Sequence, residues 1–123
     1  MNAYVIPGLK YREVTRQYFV QRRGMPIQVI IDEACKVFDA SPSDIVKRTR
    51  AQRVVNARHF VAWFLVKNLG MSLASVGRDV LGGRDHTTII NSIKKFSNLY
   101  DTEDLFKNRA DLIVENLAAW RKD

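Results

Sequence analysis

At 123 residues and 46% hydrophobic composition, the chain fits one domain with a real core and is too apolar to be a disordered segment. A single cysteine excludes an internal disulfide and a Cys-cluster zinc site, while a net charge of +7 is large for this length. The start lacks a basic stretch leading into an apolar run, and the longest apolar stretch, Phe60 to Val66, is too short to span a bilayer. A cytoplasmic protein without membrane contact is therefore expected.

Residues 1–9 read as irregular, with Pro7-Gly8 as a turn signal, and residues 10–23 could form a short helix carrying Tyr11, Val14, Tyr18 and Phe19. Gly24-Met25-Pro26 breaks it, so 1–25 is taken as an N-terminal extension and 26–121 as the domain. Ile27, Ile30, Ile31, Ala34, Val37 and Phe38 recur at helical spacing from Pro26, itself suited to a first turn, to about Asp39. Cys35 falls on this apolar pattern and reads as a small buried hydrophobe. Ser41-Pro42-Ser43-Asp44 caps a brief turn through Ile45 and Val46. The basic loop Lys47 to Arg53 follows, with no apolar periodicity, so its charges must face solvent or a ligand.

Residues 54–68 are apolar nearly all round, the pattern of a central helix packed on several sides, and Gly70 ends it. Ser72 can cap a short helix of Leu73, Val76, Val80 and Leu81. After Gly82-Gly83, Asp85 is a good N-cap for a helix to about Leu99, with Ile89, Ile93, Phe96 and Tyr100 on one face. Thr87, Thr88, Asn91, Lys94, Lys95 and Asn98 occupy the other. A final helix, roughly 103–121, places Phe106, Ala110, Ile113, Leu117 and Trp120 on one side. No useful strand-like alternation occurs, so the predicted class is all-α, a helical bundle containing a helix-turn-helix.

The positive charge is concentrated. Residues 47–95 hold ten Lys/Arg and two acids, Asp79 and Asp85, whereas 26–46 and 96–123 are net acidic. Such a block suggests a surface facing a polyanion, although a solvated basic face would look the same. Within the block, two helices joined by a tight glycine turn, the second polar at its start, form the helix-turn-helix pattern. The N-terminal residues of the second helix reach base edges in such an arrangement, and here they are Asp85, His86, Thr87 and Thr88. An Asp accepts from a cytosine amino group, a Thr offers a methyl to thymine and a hydroxyl, and a His donates or accepts. The glycine pair permits positive φ and close backbone approach to DNA. Singly, each residue also has a plain reading: Asp85 as a cap, the threonines as first-turn residues, His86 as a surface histidine.

Seven consecutive residues, Gly82-Gly83-Arg84-Asp85-His86-Thr87-Thr88, are more specific. The segment from about Ile27 to Trp120 resembles the C-terminal DNA-binding domain (domain IV) of the bacterial replication initiator DnaA, whose signature helix opens with GGRDHTT. The helix containing Asn56-Ala57-Arg58-His59-Phe60 is similar to the family's arginine-bearing helix, and Lys47 to Arg53 to its basic loop. The resemblance implies a Trp-repressor-like helix-turn-helix fold with Arg50 in the minor groove and Asp85, His86 and Thr87 on base edges. It implies backbone contacts from Arg48, Arg58, His59, Leu73, Ala74, Arg84, Thr88 and Asn91. The implied partner is double-stranded DNA, an asymmetric box that is A·T-rich at one end, bound by one monomer in replication initiation or its regulation.

The sequence departs from that pattern in three places. Val76 to Gly82 is one residue longer than the usual spacing before the paired glycines, His59 stands where glutamine is frequent, and Asn56 where a base is common. No G-x-x-x-x-G-K-[ST] loop occurs in the sequence, so a reader without its own ATPase is expected, with a host initiator or ATPase as a further partner. A transcriptional regulator of a phage or mobile element and a non-specific basic DNA binder are the alternatives. Residues 1–25 could also serve as an interaction segment. Neither Asp85–His86 nor Cys35–His59 presents a nucleophile with an oriented base, so catalysis is not expected, nor is any cofactor or metal.

Overall fold

A computed structural model describes residues 24–120; the helix expected over 10–23 lies outside the described residues. Among them every regular element is helical: α1 (Ile27–Phe38), α2 (Gln52–Trp63), α3 (Leu73–Ser75), α4 (His86–Thr102) and α5 (Asp104–Ala119). No helix among the described residues is long and apolar enough to cross a membrane.

Pro26 sits at the N-cap of α1 rather than inside its first turn, and its carbonyl accepts from the Val29 amide at 3.1 Å. The helix closes on Asp39 in the left-handed region (φ 59°), where the Ala40 amide reaches back to the Cys35 carbonyl at 2.8 Å. Cys35 is buried, as its place in the pattern suggests, and burial with Asp32 and Asp44 nearby pushes its thiol up to about 11. A 3₁₀ turn, Pro42–Val46, then leads into the basic loop.

α2 is the central element. It begins two residues earlier than the apolar run suggests, and its second half is buried on all sides from Ala57 to Trp63. Its last turn widens: Phe64–Asn68 is π-helical, with the Leu69 amide bonded to the Phe64 carbonyl at 3.2 Å. Gly70, at φ 73°, then turns the chain, and Ser72 caps α3 by accepting from the Ser75 amide at 3.0 Å.

α3 has only three α-helical residues before it too widens, into the π-helical turn Val76–Val80, closed by Leu81 N–H to the Val76 carbonyl at 3.0 Å. A π turn accommodates one residue more than an α turn over the same rise. Val76, Val80 and Leu81 stay buried through this turn.

α4 runs three residues past Leu99 and meets α5 through the single residue Glu103. Its face of Ile89, Ile93, Phe96 and Tyr100 is buried as the spacing predicts. Aromatic rings fuse the layers: Trp63 of α2 stacks on Phe96 of α4 with centroids 4.3 Å apart, and Phe106 of α5 meets both Phe96 and Phe38 at 5.4 Å. Polar ties fix the same neighbours, since Tyr100 Oη donates to Asp111 at 2.6 Å and Asn116 Nδ2 to Glu33 at 3.1 Å. α5 ends at Ala119, two residues short of the expected 121, with Trp120 packed against the core.

Candidate nucleic-acid interface

Two exposed segments converge through one turn. The first is the start of α4, where Asp85 is the N-cap: its Oδ1 accepts from the Thr88 amide at 2.9 Å and the Thr88 hydroxyl at 3.1 Å. These two bonds, the amide first, hold the Asp85 carboxyl below its usual range. Asp85 is therefore a cap in the free protein, and the cap sets the orientation of the first turn. Asp85, His86, Thr87, Thr88 and Asn91 are all exposed. Ile89 and Ile93 anchor the opposite face beneath them, so a polar surface rides on a rigid apolar one.

The second segment is the basic loop. Arg48 and Arg50 are exposed, as is Arg53 at the first turn of α2, and Thr49 Oγ1 accepts the Ala51 amide at 3.2 Å. Leu73 and Ala74, half-buried and exposed respectively, sit where α3 begins. Lys94 and Lys95 extend the exposed cationic surface along α4, a continuation that its polar face already signals.

Three expected backbone contacts turn inward instead. Arg58, 8% exposed, donates Nε to the Ile45 carbonyl at 2.9 Å, Nη1 to Thr49 at 3.0 Å and Nη2 to Lys47 at 2.5 Å. Its guanidinium thus holds the inner side of the basic loop, where loop carbonyls need donors that no helix or strand supplies. His59 is also 8% exposed, with Nδ1 buried, and burial together with Lys95 and Arg58 lowers its pKa to about 4. Arg84 is half-buried and donates to the carbonyls of Leu81 and Lys47, the latter at 2.8 Å.

The glycines explain how the turn and the loop come this close. Gly82 and Gly83 have φ of 80° and 86°, a region that side chains disfavour. A Cβ on Gly82 would stand 2.5 Å from the Val46 carbonyl oxygen, so the space beside it is filled by the protein's own backbone. Gly83 has nothing within 4 Å of such a Cβ, so the space beside it is open. Gly77, which composition did not single out, is buried inside the π turn, and its carbonyl accepts from Gly83 and Arg84 amides, each at 2.9 Å. A glycine within an amphipathic helical pattern is a sequence signal of such close packing.

The family described as "Bacterial dnaA protein helix-turn-helix" matches residues 27–96, which include the 3₁₀ turn, the loop, α2, the turn and most of α4. The chain belongs to this family. The chromosomal replication initiator protein DnaA of Ureaplasma parvum serovar 3 is 32% identical over 101 residues, covering 82% of this chain and 22% of the relative. That of Nitrobacter hamburgensis is 31% identical over 96 residues, covering 77% and 20%. The Thermomicrobium roseum initiator is 28% identical over 93 residues, covering 76% and 19%. The chain thus spans about a fifth of the length of these relatives. The two helices joined by a glycine turn that the sequence predicts are α3 with its π turn, Gly82 to Arg84, and α4.

Proposed function

We propose that this chain is a sequence-specific double-stranded DNA-binding protein of DnaA-box-like sites, acting in replication initiation or its regulation. The observation that carries this reading is the pairing of an exposed first turn of α4, Asp85 to Thr88, with an exposed basic loop tied to the same turn. In the family's arrangement the first enters the major groove. Asp85, His86 and Thr87 then meet base edges, and Arg50 enters an adjoining narrow, A·T-rich minor groove. Arg48, Thr88, Asn91 and the start of α3 at Leu73 and Ala74 meet phosphates, which position the domain without reading sequence. One monomer occupies one asymmetric box. Arg58 and His59 support this surface from behind, Arg58 through the loop carbonyls.

Selection of bound duplexes from a random library at physiological salt tests the reading. The expected outcome is an asymmetric box, A·T-rich at one end with a C-A step at the other. Thr87→Ala and His86→Ala should each relax preference at the C-A end. Recovery of a different but sharp motif would assign the chain to a dedicated regulator, and no enrichment would leave a non-specific basic binder; either overturns the box reading.

A further inference from the structure

We propose that Arg84 is a positioning residue: with Arg58 it clamps the Lys47 carbonyl, and so fixes the loop carrying Arg48 and Arg50 against the first turn of α4. Its consequence for DNA rests on the box reading above; the clamp itself does not.

The Lys47 carbonyl receives guanidinium donors from two directions. Arg58 reaches it from α2, and Arg84 reaches it at 2.8 Å across 37 residues of chain from the helix-turn-helix turn. Arg84 spends its other terminal nitrogen on the Leu81 carbonyl, one turn earlier in its own segment. Each terminal nitrogen of Arg84 thus has one N–H on a backbone carbonyl and the side chain is half-buried, so the guanidinium is held in place in the free protein. The backbone around it is equally constrained. Gly82 brings the turn against Val46, the residue before Lys47, and Gly77 leaves room for the Arg84 carbonyl, which a Cβ there would meet at 2.0 Å. Arg84 is therefore held at its backbone by Gly77 and at its tip by Lys47.

Arg50 lies three residues beyond that anchor. A minor-groove side chain is productive only if the loop presents it in register with the helix in the neighbouring major groove. The clamp supplies that register before DNA arrives, lowering the ordering cost of binding. An arginine suits the task because its planar fork aims donors from separate nitrogens at separate acceptors, whereas a lysine concentrates its donors on one atom.

Arg84→Ala, Arg84→Lys and Arg50→Ala, made in the full chain, separate positioning from phosphate contact. In the DNA-free protein, exchange of the Lys47 and Ala51 amides should quicken about ten-fold or more in both Arg84 variants, with the amides of Val61 and Ala62 unaffected. On DNA, the affinity ratio between a box and the same box with its A·T end changed to G·C should fall to the Arg50→Ala value in both. The double variant Arg50→Ala/Arg84→Ala should show no further loss of that ratio. Unchanged loop exchange in Arg84→Ala overturns the clamp. So does a lysine variant with the wild-type ratio, alongside an alanine variant whose salt slope falls by about one, the signature of a lost phosphate contact. Should Arg84→Ala lose helicity, Arg84→Lys, which keeps stem and charge, decides both readouts. If wild type itself fails to distinguish the two duplexes, the box reading fails while loop exchange still decides the clamp.

Discussion

Replacing Gly77 with alanine adds one methyl group where the fold has no room for it. The new Cβ would lie 2.0 Å from the Arg84 carbonyl oxygen, 3.0 Å from its carbon and 3.2 Å from Ile89 Cγ1. Since carbon–oxygen contacts settle near about 3.3 Å, the turn and the π-helical segment must part by more than roughly 1 Å. That displacement strains the two bonds closing the turn, Gly83 and Arg84 amides to the Gly77 carbonyl, each at 2.9 Å. Overpacking costs about 1–3 kcal/mol and each hydrogen bond about 1 kcal/mol, against a gain of about 0.5–1 kcal/mol for alanine over glycine in a helix. The net loss is about 2–4 kcal/mol, which for a domain near 100 residues lowers Tm by roughly 10–25 °C. Thermal unfolding followed by circular dichroism measures it, with Gly70→Ala as the comparison. Unlike Gly77, that site has positive φ, 73°, and nothing within 4 Å, so it bears only conformational strain of about 1–2 kcal/mol. A Gly77→Ala protein melting at or above Gly70→Ala would refute the packing argument.

Further expectations follow from the core and the charged surface. His59 has its pKa lowered from 6.5 to about 4, chiefly by burial, so protonation favours the unfolded chain and stability is lost as pH falls from 6.5 toward 4. Urea unfolding at about pH 7 and about pH 5 should show a loss of about 2 kcal/mol that His59→Gln abolishes; an equal loss in the variant would assign it to other groups. Trp63→Ala removes the ring stacked on Phe96 at 4.3 Å and should cost roughly 3–5 kcal/mol by denaturant titration. Arg48→Ala should lower the slope of log affinity against log salt by about one, while Arg50→Ala should cost roughly 1–3 kcal/mol and weaken A·T-end preference; a uniform effect of Arg50→Ala on all sequences would remove it from the minor groove.

Much of the fold is written in periodicity. The apolar spacings of α1, α4 and α5, the all-round apolar run of α2, and the caps at Ser72 and Asp85 each correspond to an observed element. The π turns at Phe64 and Val76 are not legible, because one inserted residue changes backbone bonding without disturbing which side chains are apolar. The roles of Arg58 and Arg84 are hidden for a different reason. A motif registers that an arginine is present but not whether its guanidinium faces a phosphate or a carbonyl. That depends on a loop whose backbone groups find partners only in three dimensions, Lys47 being bonded by residues 11 and 37 positions away. His59 is legible in hindsight, since it falls within a segment apolar on nearly every side, where a polar residue is more readily buried than exposed.

The basic block also shows why charge content alone does not locate a nucleic-acid face. Lys47 and Arg78 pair with Asp44 and Asp79, and Arg58 and Arg84 face backbone carbonyls. Arg48, Arg50, Arg53, Lys67, Lys94 and Lys95 remain exposed without an ion pair among the described residues. Yet a hydrogen bond to a neutral carbonyl does not cancel a charge. Arg58 and Arg84 satisfy the loop's acceptors and leave the loop electropositive, which a neutral amide in their place would not do. The free protein bears a repulsion for this: burial, then Arg84, lowers the pKa of Arg58, and burial, then Arg48, lowers that of Arg84. Phosphates brought against Arg48 would offset that repulsion, so the like charges that weaken the isolated loop strengthen its complex with a polyanion.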